Sequence, residues 1–178
     1  MTMIVEDGSV VPNCNSYVTV AWADDYHTTY GNTDWTSITD TTQKELALIN
    51  ATQSIELLYG QRYLSLPLAH FPLQNLLFPR FLMVINRIQV ISSNSIPIQL
   101  KRAVAEVALK FINSEDIFPL PNTDNFLKSK DLEISGGPKK SVTWAKLPYT
   151  EELPGFNKIE LILKPLLRQK NSSMIMSL

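Results

Sequence analysis

A chain of 178 residues, 44% apolar and 19% charged, can bury a core without metal or disulfide support, and this composition excludes wholesale disorder. Cys14 is the only cysteine, which excludes an internal disulfide and a cysteine-built zinc site. The net charge of −1 hides a polarity: residues 1–60 carry Lys44 alone against eight carboxylates, a net of −7, and residues 61–178 carry +6. That asymmetry suits head-to-tail contact with copies of the chain, or a solvated acidic face. The start lacks a basic segment followed by an apolar core, and the most apolar run, Leu76 to Ile85, is interrupted by Pro79 and Arg80. A soluble, cytosolic protein is expected, with no membrane partner.

In chain order, the acidic turn Glu6-Asp7-Gly8 and the segment Asn15-Ser16-Tyr17-Val18 lead into a first helix expected over Val20 to Tyr30. Thr19 is its N-cap and Gly31 its stop; Ala23 and Tyr26 share the buried side, and Asp24 and Asp25 face water. A second helix begins at Asp40, with Gln43 completing a capping-box pattern, and ends at Gly60. Leu48, Ala51, Ile55 and Leu58 recur at helical spacing along it.

Residues 61–94 carry Leu66-Pro67, Phe71-Pro72 and Phe78-Pro79-Arg80. Prolines so spaced exclude a regular helix and a central strand, so an extended wrap is expected. Phe81 to Ile85 and Gln89 to Ile91 are expected to pair as a short hairpin across Asn86-Arg87. The third helix is expected from Ser95 or Ile96, with Pro97 in its first turn, to about Asn113. Its apolar stripe holds Ile96, Leu100, Ala103, Val104, Val107, Ala108 and Phe111, with Lys101, Arg102, Glu106 and Lys110 outside it.

A Pro/Asn/Asp linker precedes two runs around Gly136-Gly137-Pro138, which read as a β-hairpin from about 127 to 145. A last helix over Phe156 to Arg168 is kinked or restarted at Pro165, and a polar tail follows with Met174-Ile175-Met176. The expected class is mainly α (α+β): a compact bundle of three to four helices with a projecting β-hairpin and a C-terminal arm. Its divisions are 1–125 for the helical core, 126–147 for the hairpin and 148–178 for the C-terminal helix and docking arm.

No Ser-centred elbow, phosphate loop, paired catalytic carboxylate or zinc spacing occurs, so no catalytic, cofactor or metal residue is expected. Asp24, Asp25 and His27 cluster on one helix, but a metal would need ligands from elsewhere, so a solvated face is the simpler reading. Lys128, Lys130, Lys139, Lys140 and Lys146 interleave with Phe126, Trp144 and Tyr149, the combination that single-strand nucleic-acid binders use.

Several motifs occur together and in order: Glu6-Asp7-Gly8, Asn15-Ser16-Tyr17-Val18, Tyr26-His27, Gly31-Asn32 with Trp35, and Ala47-Leu48-Ile49 with Ala51-Thr52. Phe78-Pro79-Arg80, Ser95-Ile96-Pro97 and Leu163-Lys164-Pro165-Leu166-Leu167 follow. As a set they resemble the head–tail adaptor (connector) family of tailed bacteriophages, whose members are often labelled DnaT-like single-stranded DNA-binding. Trp22, where an acidic residue is usual, and the Asn86-Arg87 turn depart from the pattern.

The resemblance implies a non-enzymatic virion protein at the head–tail junction, a subunit of a ring of commonly twelve copies joining the portal to the tail or nozzle. Double-stranded DNA would pass through its channel without sequence reading. Ile162, Lys164, Leu166, Leu167, Arg168, Lys170, Met174, Ile175 and Met176 would dock on the portal, and Lys139, Lys140 and Trp144 would form an inter-subunit hairpin. The alternative function is a single-stranded DNA-binding replication accessory.

Overall fold

The computed structural model describes residues 2–68, 74–81, 83–85, 89–115, 127–132, 140–145 and 157–168, with the backbone alone at 127–132, 140–145 and Asn157. The chain forms two units, Met1–Ile117 with Lys158–Leu178, and Phe118–Asn157. Among the described residues the class is α+β. Five helices accompany three two-stranded antiparallel sheets.

In the first unit, α1 (Val20–Thr29) starts where expected, because Thr19 Oγ1 accepts the Trp22 amide at 3.1 Å. Gly31, at φ +69°, turns the chain out of it. One four-residue turn, α2 (Thr33–Thr36), was not foreseen; it seats Trp35 in the core. Helix α3 (Thr41–Tyr59) is capped by Asp40, whose Oδ1 accepts the Thr42 amide. Its buried side holds Leu48, Ala51, Thr52, Ile55 and Tyr59, while Leu58 is only half-buried.

Helix α4 (Ile98–Ile112) starts two to three residues later than its periodicity suggests. Pro97 is extended at ψ 137° and serves as N-cap, and a residue preceding proline, here Ile96, is biased out of the helical region. Leu100, Ala103, Val104, Val107 and Ala108 are fully buried, and α3 and α4 form the main helical contact.

The proline-punctuated stretch builds two ribbons. Leu66–Pro67 (β1) pairs with Arg80–Phe81 (β2), and Met83–Ile85 (β3) pairs with Gln89–Ile91 (β4) in the register Val84 to Val90. The second ribbon holds the expected pairing in part: Met83–Ile85 meets Gln89–Ile91, but Phe81, expected in the same strand, pairs with Leu66 instead, and the Asn86-Arg87 turn lies outside the described residues. The first ribbon was not foreseen, and its proline sits in an edge strand, where a missing amide costs nothing.

Buried polar groups, not periodic apolar ones, hold these loops. Arg80 donates to the carbonyls of Leu64 (2.8 Å), Ser65 (2.5 Å) and Leu77 (3.1 Å), and its guanidinium stacks near Tyr63 and Phe78. Glu56 accepts the Tyr17 hydroxyl at 2.7 Å and the Leu77 amide at 2.9 Å. Glu6 gathers the amides of Gly8, Val10 and Val11 at 2.8–3.0 Å, and the Cys14 thiol. That clasp keeps Val10 at φ +63°, a conformation a β-branched residue adopts only under constraint. Gly8, at φ +113°, lies so close that a Cβ there would meet the Asn94 carbonyl oxygen at 2.2 Å.

After the second unit, α5 (Asn157–Leu163) gives way to a 3₁₀ turn at Lys164–Leu166, so Pro165 starts a new turn as one of the two expected outcomes. Ile159, Leu163, Leu166 and Leu167 are buried in the first unit, and Arg168 donates its amide to the Arg62 carbonyl at 2.7 Å. In the second unit, Leu127–Leu132 (β5) and Lys140–Ala145 (β6) form the expected hairpin strands. Its Gly136-Gly137-Pro138 turn lies outside the described residues, as does the 169–178 tail. No described helix is long and apolar enough to cross a membrane.

Candidate nucleic-acid interface

Val142, Thr143 and Trp144 favour extended backbone, and the β5–β6 ladder runs six residues without a break, Leu127 opposite Ala145 through Leu132 opposite Lys140. Since alternate residues share a face of a ribbon, this register decides which groups lie together. Lys128 sits opposite Trp144, Lys130 opposite Val142, and Lys140 opposite Leu132, all on one face. Asp131, Ser129, Ser141 and Thr143 occupy the other face. The one carboxylate of these strands is therefore segregated from three lysines and the tryptophan. Three lysine positions and a tryptophan position on one face supply the residue types that neutralise phosphates and stack a base. Of the three residues the sequence assigned to the hairpin contact, Lys140 and Trp144 thus share a face, and Lys139 lies outside the described residues.

A second aromatic cluster lies on α1. Trp22, Tyr26 and Tyr30 are spaced four residues apart and line one helix face. Trp22 and Tyr26 stack at 5.5 Å and 11°, and Tyr26 and Tyr30 tilt at 4.7 Å. Tyr30 is 57% exposed. Tyr26 donates its hydroxyl to Glu106 Oε1 at 2.7 Å, and Lys158 Nζ meets Glu106 Oε2 at 2.7 Å. Burial, helped by the Glu106 carboxylate, drives the Tyr26 phenol well above its ordinary pKa.

Glu106 was expected on the outer face of α4 and is buried instead, because it ties α1 to α5 through Tyr26 and Lys158. Lys158 is thereby committed to a carboxylate, Asp25 is exposed alongside, and residues 1–60 are net −7. A polyanion meets repulsion at this face, so the Trp22–Tyr26–Tyr30 row serves packing.

His27 was expected on a solvated face and is fully buried between Tyr26 and Trp35. Asn32 Nδ2 lies 2.9 Å from its Nδ1, and an amide nitrogen can only donate, so Nδ1 accepts and the proton sits on Nε2. Burial pushes the imidazole below its ordinary pKa, against the pull of Glu106 and Asp24. Asp24 likewise does more than face water: it accepts Trp35 Nε1 at 2.7 Å and Lys44 Nζ at 2.8 Å. Neither residue joins a metal cluster; among the described residues no group of three His, Cys, Asp or Glu could hold an ion. His70 lies outside the described residues. Cys14 is buried with its thiol pushed up to about 12 by burial and by Glu6, so it is not a nucleophile at neutral pH.

Along its whole length, residues 1–178, the chain matches the model of a family described as "Putative DnaT-like ssDNA binding protein". It belongs to that family. No curated protein and no solved structure matches it.

Of the residues assigned to portal docking, Leu166 and Leu167 are buried in the chain's own core and Ile162 is half-buried, whereas Lys164 and Arg168 are exposed. Lys170, Met174, Ile175 and Met176 lie outside the described residues. Lys128 and Lys130 stand in the sequence among the residues of the nucleic-acid combination but not among the three hairpin contacts, and Asp131 shares their strand. Alternation alone, with 128 and 130 even and 131 odd, carried the signal that separates them.

Proposed function

We propose that this family member binds single-stranded DNA without base selection and without enzymatic turnover, acting as an accessory to DNA transactions. The observation that carries the reading is the β5–β6 register, which groups Lys128, Lys130, Lys140 and Trp144 on one face and leaves Asp131 on the other. The family match supports it independently. Lysines contact phosphates, which every sequence presents, and an indole stacks on any base, so affinity without sequence reading follows.

The test is a fluorescence-anisotropy titration with a labelled oligothymidine at several salt concentrations. Three neutralised phosphates on a single strand give a slope of log K against log salt of about −2, and Lys130→Gln makes it shallower by about 0.7. Trp144→Ala weakens binding by about 1–3 kcal/mol, the value of one stacked base. Binding that is absent, or indifferent to all three lysines, sinks the reading.

A second reading is a ring-forming virion adaptor between portal and tail, with double-stranded DNA in its channel. One observation favours it: Leu161 on α5 is 66% exposed, in the same segment as exposed Lys164 and Arg168, an apolar and basic edge open to a partner. Its test is capture of assembled portal rings by the full chain, with Leu161→Glu and deletion of 169–178 as variants. Undiminished capture by both variants removes α5 and the tail as anchors.

A further inference from the structure

Strand β4 has an open edge. It pairs with β3 and, among the described residues, with no other strand. A two-stranded ribbon is marginal in water, and exposed edges are commonly guarded by lysine, proline or a bulge. Gln89-Val90-Ile91 carries no charge and no proline. Val90 is 60% exposed and its cross-strand partner Val84 46%, so an apolar pair faces outward.

Beside this strand lies a groove of about 250 Å³, lined by Ile85, Val90, Ile91, Ile96 and, at the start of α4, the exposed Ile98. Its polar members are glutamine and serine, and no charged side chain lines it. The volume falls below the roughly 300–1,000 Å³ typical of small-molecule pockets. A polyanion or an anionic membrane surface finds no cation there. A two-fold axis sets this patch against itself without bringing like charges together, and the free antiparallel edge of β4 is self-complementary, so a second copy of the chain fits both the strand edge and the groove.

We propose that two copies of the chain pair β4 to β4 about a two-fold axis, antiparallel, giving a four-stranded sheet β3–β4–β4–β3. Each copy's Val90 then covers the other's groove, and the outward amides and carbonyls of β4 find partners. The proposal is independent of DNA binding, because neither β5 nor β6 takes part.

The experiment is light scattering coupled to size-exclusion chromatography on the full chain over a concentration series, without nucleic acid. The expected result is a concentration-dependent mass of two chains that Val90→Lys shifts to one, with dimer dissociation raised at least about tenfold. Val90 is exposed, so the variant should keep the wild-type melting temperature of the dissociated chain. Val90→Cys provides a second readout. Cys14 is buried and the chain has no other cysteine, so diamide should link Val90→Cys copies into a covalent dimer that dithiothreitol releases. A wild-type chain of single mass at every concentration overturns the proposal. So does an assembly whose mass is unchanged by Val90→Lys and that yields no linked dimer from Val90→Cys.

Discussion

Helices α1, α3 and α4 meet through Ala23, Leu48, Ile55, Leu100 and Val104, whereas the loops before α1 and between α3 and α4 are held by Glu6, Glu56 and Arg80. The first set is spread over many interchangeable contacts. The second concentrates several hydrogen bonds on single charged groups, so one substitution leaves several buried partners without a mate. The loops should therefore be more sensitive to changes that preserve size, and the helices more sensitive to changes in volume.

The largest effect is expected at Glu6. Replacing it with alanine unpairs three backbone amides, two of them only part-buried, and the Cys14 thiol, and four groups at the low end of about 1–3 kcal/mol each give a loss of about 4 kcal/mol in a denaturant melt. Leu48→Ala should cost about 3 kcal/mol through a cavity between α3 and α4, measured in the same way. If Glu6→Ala proves milder than Leu48→Ala, the contrast between the two regions fails. Arg80→Lys sharpens it further: a lysine cannot reach three carbonyls in fixed fork geometry, so about 2 kcal/mol is lost at constant charge.

A pH series separates the regions by sign. Burial raises the Glu56 carboxyl to about 7, above the ordinary 4.5, against the opposing hydrogen bonds of Tyr17 and Leu77 and the charge of Arg80. Between those values the native chain holds a proton that the unfolded chain has released. The Glu56 contribution is thus fully present below pH 4.5 and is lost as pH rises through 7, by up to about 3 kcal/mol. Glu56→Gln should flatten that limb. His27, depressed by burial, has the opposite sign: its contribution is present above its ordinary pKa of 6.5 and is lost as pH falls through the folded value. A Glu56→Gln chain that still loses stability between pH 5 and 7.5 on the alkaline side contradicts the assignment. The smallest effect is Thr19→Ala, about 1 kcal/mol for one exposed N-cap.

The same contrast explains what the sequence made legible. Helices α1, α3 and α4 announce themselves by threefold and fourfold apolar spacing with Thr19 and Asp40 as caps, and the hairpin strands by alternation around Gly136-Gly137. The β1–β2 pair and the buried Glu106 carry no such signal, because each depends on a partner distant in sequence: Arg80 on Leu64 and Ser65, Glu106 on Tyr26 and Lys158. Motifs such as Glu6-Asp7-Gly8 and Phe78-Pro79-Arg80 stood out in the sequence, and their roles are now structural: a carboxylate clasp and a guanidinium staple. The candidate site was half legible. Its lysines and Trp144 were visible as a composition, but the separation of Asp131 from them needed the register.

The central claim, that the lysine–tryptophan face of β5–β6 receives single-stranded DNA, is tested most directly by photocrosslinking an iodouridine-substituted oligonucleotide to the full chain and mapping the attached peptides by mass spectrometry. Stacking brings a base against Trp144, so the adduct should fall on the peptide containing it and fade with rising salt. Adducts confined to the Trp22–Tyr30 face of α1, or none at a concentration where duplex and single strand behave alike, would contradict the account.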